Sequence, residues 1–266
     1  MTTPADELLI ETKDHITTVT LNRPHALNAL TMTMLDSFAR LWERLNDDHD
    51  THVVIITGAG KGFCSGIDLK QTNMAEQGKN RRPNYNFSQQ WIASMQAFTK
   101  PTIAAVNGVA AGGGLGLALG CDIRIASDAA RFSAIFANIG MPVLDGVGST
   151  LPATVGIAKA LEMIYTADIL DANEAARIGL VSYVVPAADL MTRTRAMAEK
   201  IAAGPPIGLS MSKHVVYSSV GRTFIEHLPH QALAVLANSS LANHDIAEGG
   251  VAFRERRKPK FKGYAK

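Results

Sequence analysis

Two short runs of apolar and β-branched residues, Leu8 to Thr12 and Ile16 to Leu21, flank the polar Lys13-Asp14-His15 and predict a β-hairpin. Leu30, Met34, Phe38, Leu41 and Leu45 then recur at spacings of four and three, which predicts an amphipathic helix ending at Asn46-Asp47-Asp48. Val53 to Thr57, apolar through Ile56 and β-branched at Thr57, predicts a buried strand. From Thr102 to Cys121 the chain runs for twenty residues without a charge. Its β-branched start, Thr102 to Val106, predicts a second buried strand; Asn107-Gly108 and Gly112-Gly113-Gly114 break it, and a helix follows from Gly113 to Gly120. Asp122 to Ala126 reads as a further strand, and the polar, aliphatic-poor residues 70–90 read as a lid-like loop before a helix. Gly204-Pro205-Pro206 marks a break before two more helices.

A glycine-rich turn entering a helix leaves backbone N–H groups unpaired at the positive end of the helix dipole, and glycines let a ligand oxygen approach them closely. The turn at 112–114 is therefore a candidate anion or oxyanion site. Glycines used only for tight helix packing are the alternative reading. Gly112, Gly116 and Gly120 at helical spacing would also suit a membrane span, but Asn107, the strand-like first half and a near-neutral mean hydropathy favour a buried strand-turn-helix. A dinucleotide fingerprint fails at Leu117, and no Gly-Lys-Ser/Thr supplies a phosphate loop.

A second glycine-punctuated loop, Thr57-Gly-Ala-Gly-Lys-Gly-Phe-Cys-Ser-Gly-Ile-Asp-Leu69, follows the Val53 strand. Together with Lys100-Pro-Thr-Ile-Ala-Ala-Val-Asn-Gly-Val-Ala-Ala-Gly-Gly-Gly114 it resembles the paired loops of the crotonase superfamily, the enoyl-CoA hydratases and isomerases. Leu21-Asn-Arg-Pro24 with Ala26 to Leu30, Cys121 to Ser127, Ala172 to Val181 and Phe253 to Gly263 resemble four further family signatures in the family's order. The resemblance implies an α/β fold with a crotonase-like ββα spiral core over residues 1–203 and a C-terminal helical oligomerisation region over 204–266. It also implies an acyl-CoA thioester substrate, with coenzyme A as part of that substrate and no tightly bound cofactor. Assembly as a homotrimer or a hexamer, a dimer of trimers, is implied as well.

The chain has 266 residues, of which 47% are hydrophobic, enough to bury a large core. Cys64 and Cys121 are too few for a disulfide framework, and no basic segment followed by an apolar stretch opens the chain, so a cytoplasmic location is expected. Net charge is +2, yet residues 254–266 hold seven Lys or Arg against Glu255 alone. No nucleic-acid motif or interleaved aromatics accompany this basic tail, so neither nucleic-acid binding nor membrane insertion is expected. The resemblance implies contact with coenzyme A phosphates there, with Lys258 and Lys260 as candidates. His227 and His230 are read as incidental helix-end histidines, since Pro229 and the lack of a nearby carboxylate or Cys pattern do not suit zinc.

By motif match, the oxyanion donors are the backbone N–H groups of Ile67 and Gly113, and the substrate-lining positions are Ala26, Ser65, Asp68, Leu69, Gly114, Phe136 and Met141. Asp68 is read as a loop organiser. The two glutamates that the resemblance implies for a hydratase fall on Gly116 and Phe136, which cannot exchange protons. Asp145 is the remaining acid/base candidate. It follows Gly140 by five residues, whereas the isomerase branch that the segment resembles places its Asp four residues after that glycine; an Asx-type turn beside Gly146 is the alternative. Double-bond isomerisation is the leading expectation. A non-catalytic acyl-CoA binding or regulatory protein and a hydratase using other residues are the alternatives.

Overall fold

A computed structural model describes residues 7–70 and 90–263. The lid expected over 70–90 thus lies almost wholly outside the described residues. Strands β1 (Leu8–Lys13) and β2 (Ile16–Leu21) form the expected hairpin, pairing antiparallel with Lys13 opposite Ile16. β2 then pairs parallel with β3 (Val53–Gly58), which pairs parallel with β5 (Thr102–Val106). β7 (Ile123–Ser127) and β10 (Tyr183–Val185) complete a six-stranded sheet in the order β1-β2-β3-β5-β7-β10. A second sheet of four short strands, β4 (Gly62–Cys64), β6 (Val109–Ala111), β8 (Arg131–Ser133) and β9 (Leu170–Asp171), continues from the ends of the first.

The apolar runs lack polar alternation because both faces of the large sheet are covered. Val54 and Ile56 of β3, with Ala104 and Val106 of β5, enter the main core. Val53, Ile55, Ile103 and Ala105 point the other way, against Leu190 and Ala198 of a helix at Leu190–Ala202. Helix α1 (Met32–Asp47) buries Phe38, Leu41, Trp42 and Leu45 in the main core. It starts two residues later than the leucine spacing suggests, because the Thr31 hydroxyl caps it by accepting from the Met34 N–H at 3.1 Å. Leu30 is left outside the helix, in a parallel bridge to Ile67.

Helix α2 (Gln90–Gln96) and helix α3 (Gly113–Gly120) flank the region where the two glycine loops meet. All eight residues of α3 are buried. A β-carbon on Gly114 would stand 2.0 Å from the Cys64 carbonyl oxygen, so the helix packs backbone to backbone against β4. Helices α4 (Val147–Val155), α5 (Ile157–Thr166), α6 (Ala172–Arg177) and α7 (Leu190–Ala202) complete the core.

Three helices follow Gly204-Pro205-Pro206 rather than two: α8 (Pro206–Ser218), α9 (Phe224–Leu241) and α10 (Asn243–Glu255). The extra break falls at Ala242, without glycine or proline. Its cause is long-range: Asp245 at the start of α10 is buried and accepts from the Lys262 and Gly263 N–H groups, which fixes α10 against the end of the chain. His227 and His230 lie in the first two turns of α9, with their rings 5.8 Å apart. Among the described residues no three side chains group as metal ligands, and no helix is long and apolar enough to cross a membrane.

Candidate functional site

The loops on either side of β4 are held by a lattice of side chains from Asn107 and from the signature around Arg23. Asn28 donates to the carbonyls of Ala59 and Gly62, and Asn107 at the end of β5 donates to those of Gly60 and Gly62 while accepting from the Gly58 N–H. Arg23 is buried, donates to the Ala29 carbonyl and pairs with Glu7 at 3.3 Å and Asp68 at 3.0 Å. Asp68 also accepts from the Lys70 N–H, so it braces its own loop from two sides. Sequence reasoning assigned Asp68 this organising position but overlooked Arg23, its partner, although the Leu-Asn-Arg-Pro signature contains it. Asp68→Asn is expected to lower unfolding stability by about 1–3 kcal/mol, since a largely buried guanidinium loses a charged acceptor. The midpoint of urea denaturation checks it.

The bracing fixes the backbone on either side of Ile67. The Leu30 N–H donates to the Gly66 carbonyl at 2.8 Å, and the Asp68 N–H donates to the Leu30 carbonyl at 2.9 Å. The Ile67 N–H between them donates to nothing among the described residues, and neither does the Gly113 N–H at the start of α3. The two loops touch here. A β-carbon on Gly66 would lie 3.4 Å from the Gly113 nitrogen, and one on Gly113 would lie 3.6 Å from Ile67 Cδ1. Gly112 turns into α3 at φ 52°, a left-handed conformation that glycine adopts freely.

Asp145 arrives at the same place from the segment before α4. It takes φ 54°, and Gly146 takes φ 75°. Two consecutive residues at positive φ turn the chain sharply there. The side chain makes no local turn hydrogen bond. Instead Asp145 Oδ2 stands 3.0 Å from where a β-carbon of Gly113 would be. Asp145 is only 4% exposed, and burial raises its carboxyl from the ordinary 3.8 to about 6. The indole of Trp91, on α2, opposes part of that rise. Asp145 also borders a cavity of about 280 Å³ whose other walls include Ile92, Ala93, Val143 and Leu144.

Gly116, one turn into α3, packs on Asp145 itself: a β-carbon there would meet the Asp145 carbonyl oxygen at 2.5 Å and Asp145 Cβ at 3.1 Å. Phe136 is buried in the main core, and Met141 packs against that core with its N–H donating to the Phe136 carbonyl. Ser65 Oγ donates to the Ala26 carbonyl at 3.3 Å, tying the first signature to the first loop. Leu69 is exposed, whereas Gly114 is buried against Cys64. Burial pushes the Cys64 thiol up to about 12, which leaves it protonated and unreactive. Lys258 and Lys260 are exposed beyond α10, and no contact among the described residues joins them to the two loops. The closeness of Trp91 to Asp145 is not legible from sequence spacing.

Two N–H groups without a partner among the described residues and a carboxyl whose proton affinity burial raises thus lie close together, and groups of these kinds can stabilise an oxyanion and move a proton. The family model described as enoyl-CoA hydratase/isomerase matches residues 11–264. The "Probable enoyl-CoA hydratase" of Mycobacterium tuberculosis is 38% identical over 258 residues, covering 96% of this chain and 98% of that protein. The (E)-benzylidenesuccinyl-CoA hydratase of Thauera aromatica is 37% identical over 261 residues, covering 96% of this chain and 98% of its own. The crystal structure of an enoyl-CoA hydratase from Bacillus anthracis superimposes with a TM-score of 0.89 at 32% identity, covering 97% of this chain and 99% of that one. A match over nearly the full length in sequence and in fold leaves one assignment: the chain belongs to the enoyl-CoA hydratase/isomerase family of the crotonase superfamily and is an enzyme of that family.

Proposed function

We propose that this enzyme moves the double bond of an enoyl-CoA thioester, with Asp145 as the one proton carrier. The observation that carries this reading is the placement of Asp145 Oδ2 beside Gly113, while Gly116 and Phe136 supply no acid at the two hydratase positions. The Asp145 carboxylate takes a proton from the α-carbon of a 3-enoyl thioester. The C–H electron pair forms a double bond between the α-carbon and the carbonyl carbon as the carbonyl π electrons move onto oxygen, giving a dienolate. The Ile67 and Gly113 N–H groups donate to that oxygen, an interaction whose loss typically costs about 2.7–4 kcal/mol per donor. Asp145, now protonated, returns the proton to the γ-carbon as the carbonyl re-forms, and the product is the 2-enoyl isomer at unchanged mass.

Ile92, Val143 and Leu144 give the cavity beside Asp145 an apolar wall suited to an acyl group, and Ala26, Ser65, Leu69, Gly114 and Met141 are read as the rest of the thioester path. The exposure of Lys258 and Lys260 within the strongly basic residues 254–266 supports their use as coenzyme A phosphate contacts. Val216, Val220, Phe224, Ile225, Leu236 and Phe253 are exposed apolar residues on or near α8 to α10, which supports a homotrimer or a hexamer built through the C-terminal region.

The test is mass spectrometry with chromatographic separation after incubation with 2-enoyl-, 3-enoyl- and dienoyl-CoA. Positional isomers at unchanged mass are the expected result. A mass gain of one water would overturn the isomerase reading, and binding without any product would overturn the catalytic one. Because a base must be ionised to accept a proton, kcat/KM is expected to fall with decreasing pH below about 6, where Asp145 becomes protonated. A rate profile flat through that region would remove Asp145 from the role.

A further inference from the structure

Trp91 opens α2 and is 1% exposed, its ring tilted against Phe38 at a centroid distance of 6.3 Å. Its indole Nε1 is buried and makes no hydrogen bond of normal geometry among the described residues. A buried N–H without an acceptor is costly, and such groups are rare in folded proteins. The neighbouring residues Ile92 and Ala93 share the cavity wall with Asp145, and Ile92 Cγ1 would lie 3.3 Å from a β-carbon on Gly146. The start of α2 is thus packed directly on the turn that presents Asp145. The Asp145 carboxyl lies close enough for this indole to lower its proton affinity, and Asp145 has no ion pair or other side-chain hydrogen bond among the described residues.

We propose that Trp91 is a positioning residue whose indole N–H closes on the Asp145 carboxylate whenever that group is charged, holding Oδ2 beside Gly113. The value of this for catalysis rests on the isomerase reading; the contact itself does not. An indole N–H only donates, so it favours the carboxylate over the acid. It thereby keeps a base in a desolvated site from being neutral throughout the working pH range. Among the described residues no other side chain around Asp145 does this. α2, α3 and α4 carry no titratable side chain, the Ser149 hydroxyl donates to the Gly146 carbonyl, and the Cys64 thiol on β4 stays protonated.

The chain has two tryptophans, Trp42 and Trp91, so protein labelled with ¹⁵N in the indole gives two Nε1–H resonances, assigned by Trp42→Phe and Trp91→Phe. The Trp91 proton resonance is expected to move downfield as pH rises, with its midpoint near 6, and to be flat in Asp145→Asn. A flat Trp91 resonance in the wild type, or an identical titration in Asp145→Asn, would overturn the contact. Trp91→Phe keeps the ring against Phe38 and removes only the donor. In that variant the acid limb of kcat/KM is expected to move up by about 1 pH unit. Lower activity with the limb unmoved would mean that the indole only fills space. Should the wild type prove not to be an isomerase, the resonance titration still decides whether the two side chains meet, so the failures are distinguishable. Should Trp91→Phe not fold, wild type, Trp42→Phe and Asp145→Asn suffice.

Discussion

Asp145→Asn is expected to lower the kcat/KM for isomerisation by about 10²–10⁴-fold, the usual weight of a positioned general base, while making the protein more stable at neutral pH. Asparagine has the same shape and tolerates the left-handed conformation that residue 145 requires, so the turn before α4 persists. The stability gain follows from proton linkage. Asp145 titrates near 6 when folded against an ordinary 3.8, so the folded protein binds this proton more tightly than the unfolded chain. Its contribution is therefore most favourable below pH 3.8, declines as pH rises to 6, and stays unfavourable above. A gap of that size corresponds to on the order of 2–3 kcal/mol at neutral pH, removed when the residue can no longer ionise. Thermal denaturation of both proteins at about pH 5 and pH 8 checks it, because the advantage of asparagine should be larger at the higher value. Reduced activity with no gain at high pH would show that the carboxylate is better solvated or paired than its burial implies.

Such a trade between stability and chemistry is what distinguishes the site from the frame around it. The frame was largely legible. Val53 to Ile56 is unbroken by polar residues because both sides of β3 are covered, and α3 runs from Gly113 to Gly120 as the glycines suggest. The meeting of the two loops was legible only through the resemblance, since nothing local in either segment specifies that Gly66 abuts Gly113. What spacing could not supply is direction. Whether Asp145 faces the loops or turns outward depends on two successive positive φ angles, and a count of residues from Gly140 carries no dihedral information. Leu30 was assigned to the helix on its period alone, whereas the Thr31 cap releases it to pair with Ile67. The Ala242 break was hidden because its cause, Asp245 binding the backbone at 262–263, lies many residues downstream.

Gly116→Glu restores a carboxylate at the position the family resemblance gives to a hydratase glutamate, yet it is expected to yield no hydration and to lose isomerisation by at least about 100-fold. The reason is steric before it is chemical. The first atom of any side chain at 116 would stand 2.5 Å from the Asp145 carbonyl oxygen, well inside contact distance, and that oxygen belongs to the backbone rather than to a flexible tip. Every residue of α3 is buried, so the helix has no free side toward which to retreat. The turn at 145–146 must then move, and a displacement of about 1 Å at the base is enough to cost two orders of magnitude in rate. The glycine and the aspartate are thus one choice: the space that a glutamate would fill is occupied by the backbone that delivers Asp145. Gly116→Ala separates the two contributions. It adds the collision without the charge, and it should lose most of the same activity and destabilise the fold by about 1–3 kcal/mol. If Gly116→Glu instead produced the water adduct while Gly116→Ala kept full isomerase activity, the turn would be shown to yield freely, and the placement of Asp145 would owe nothing to the glycine.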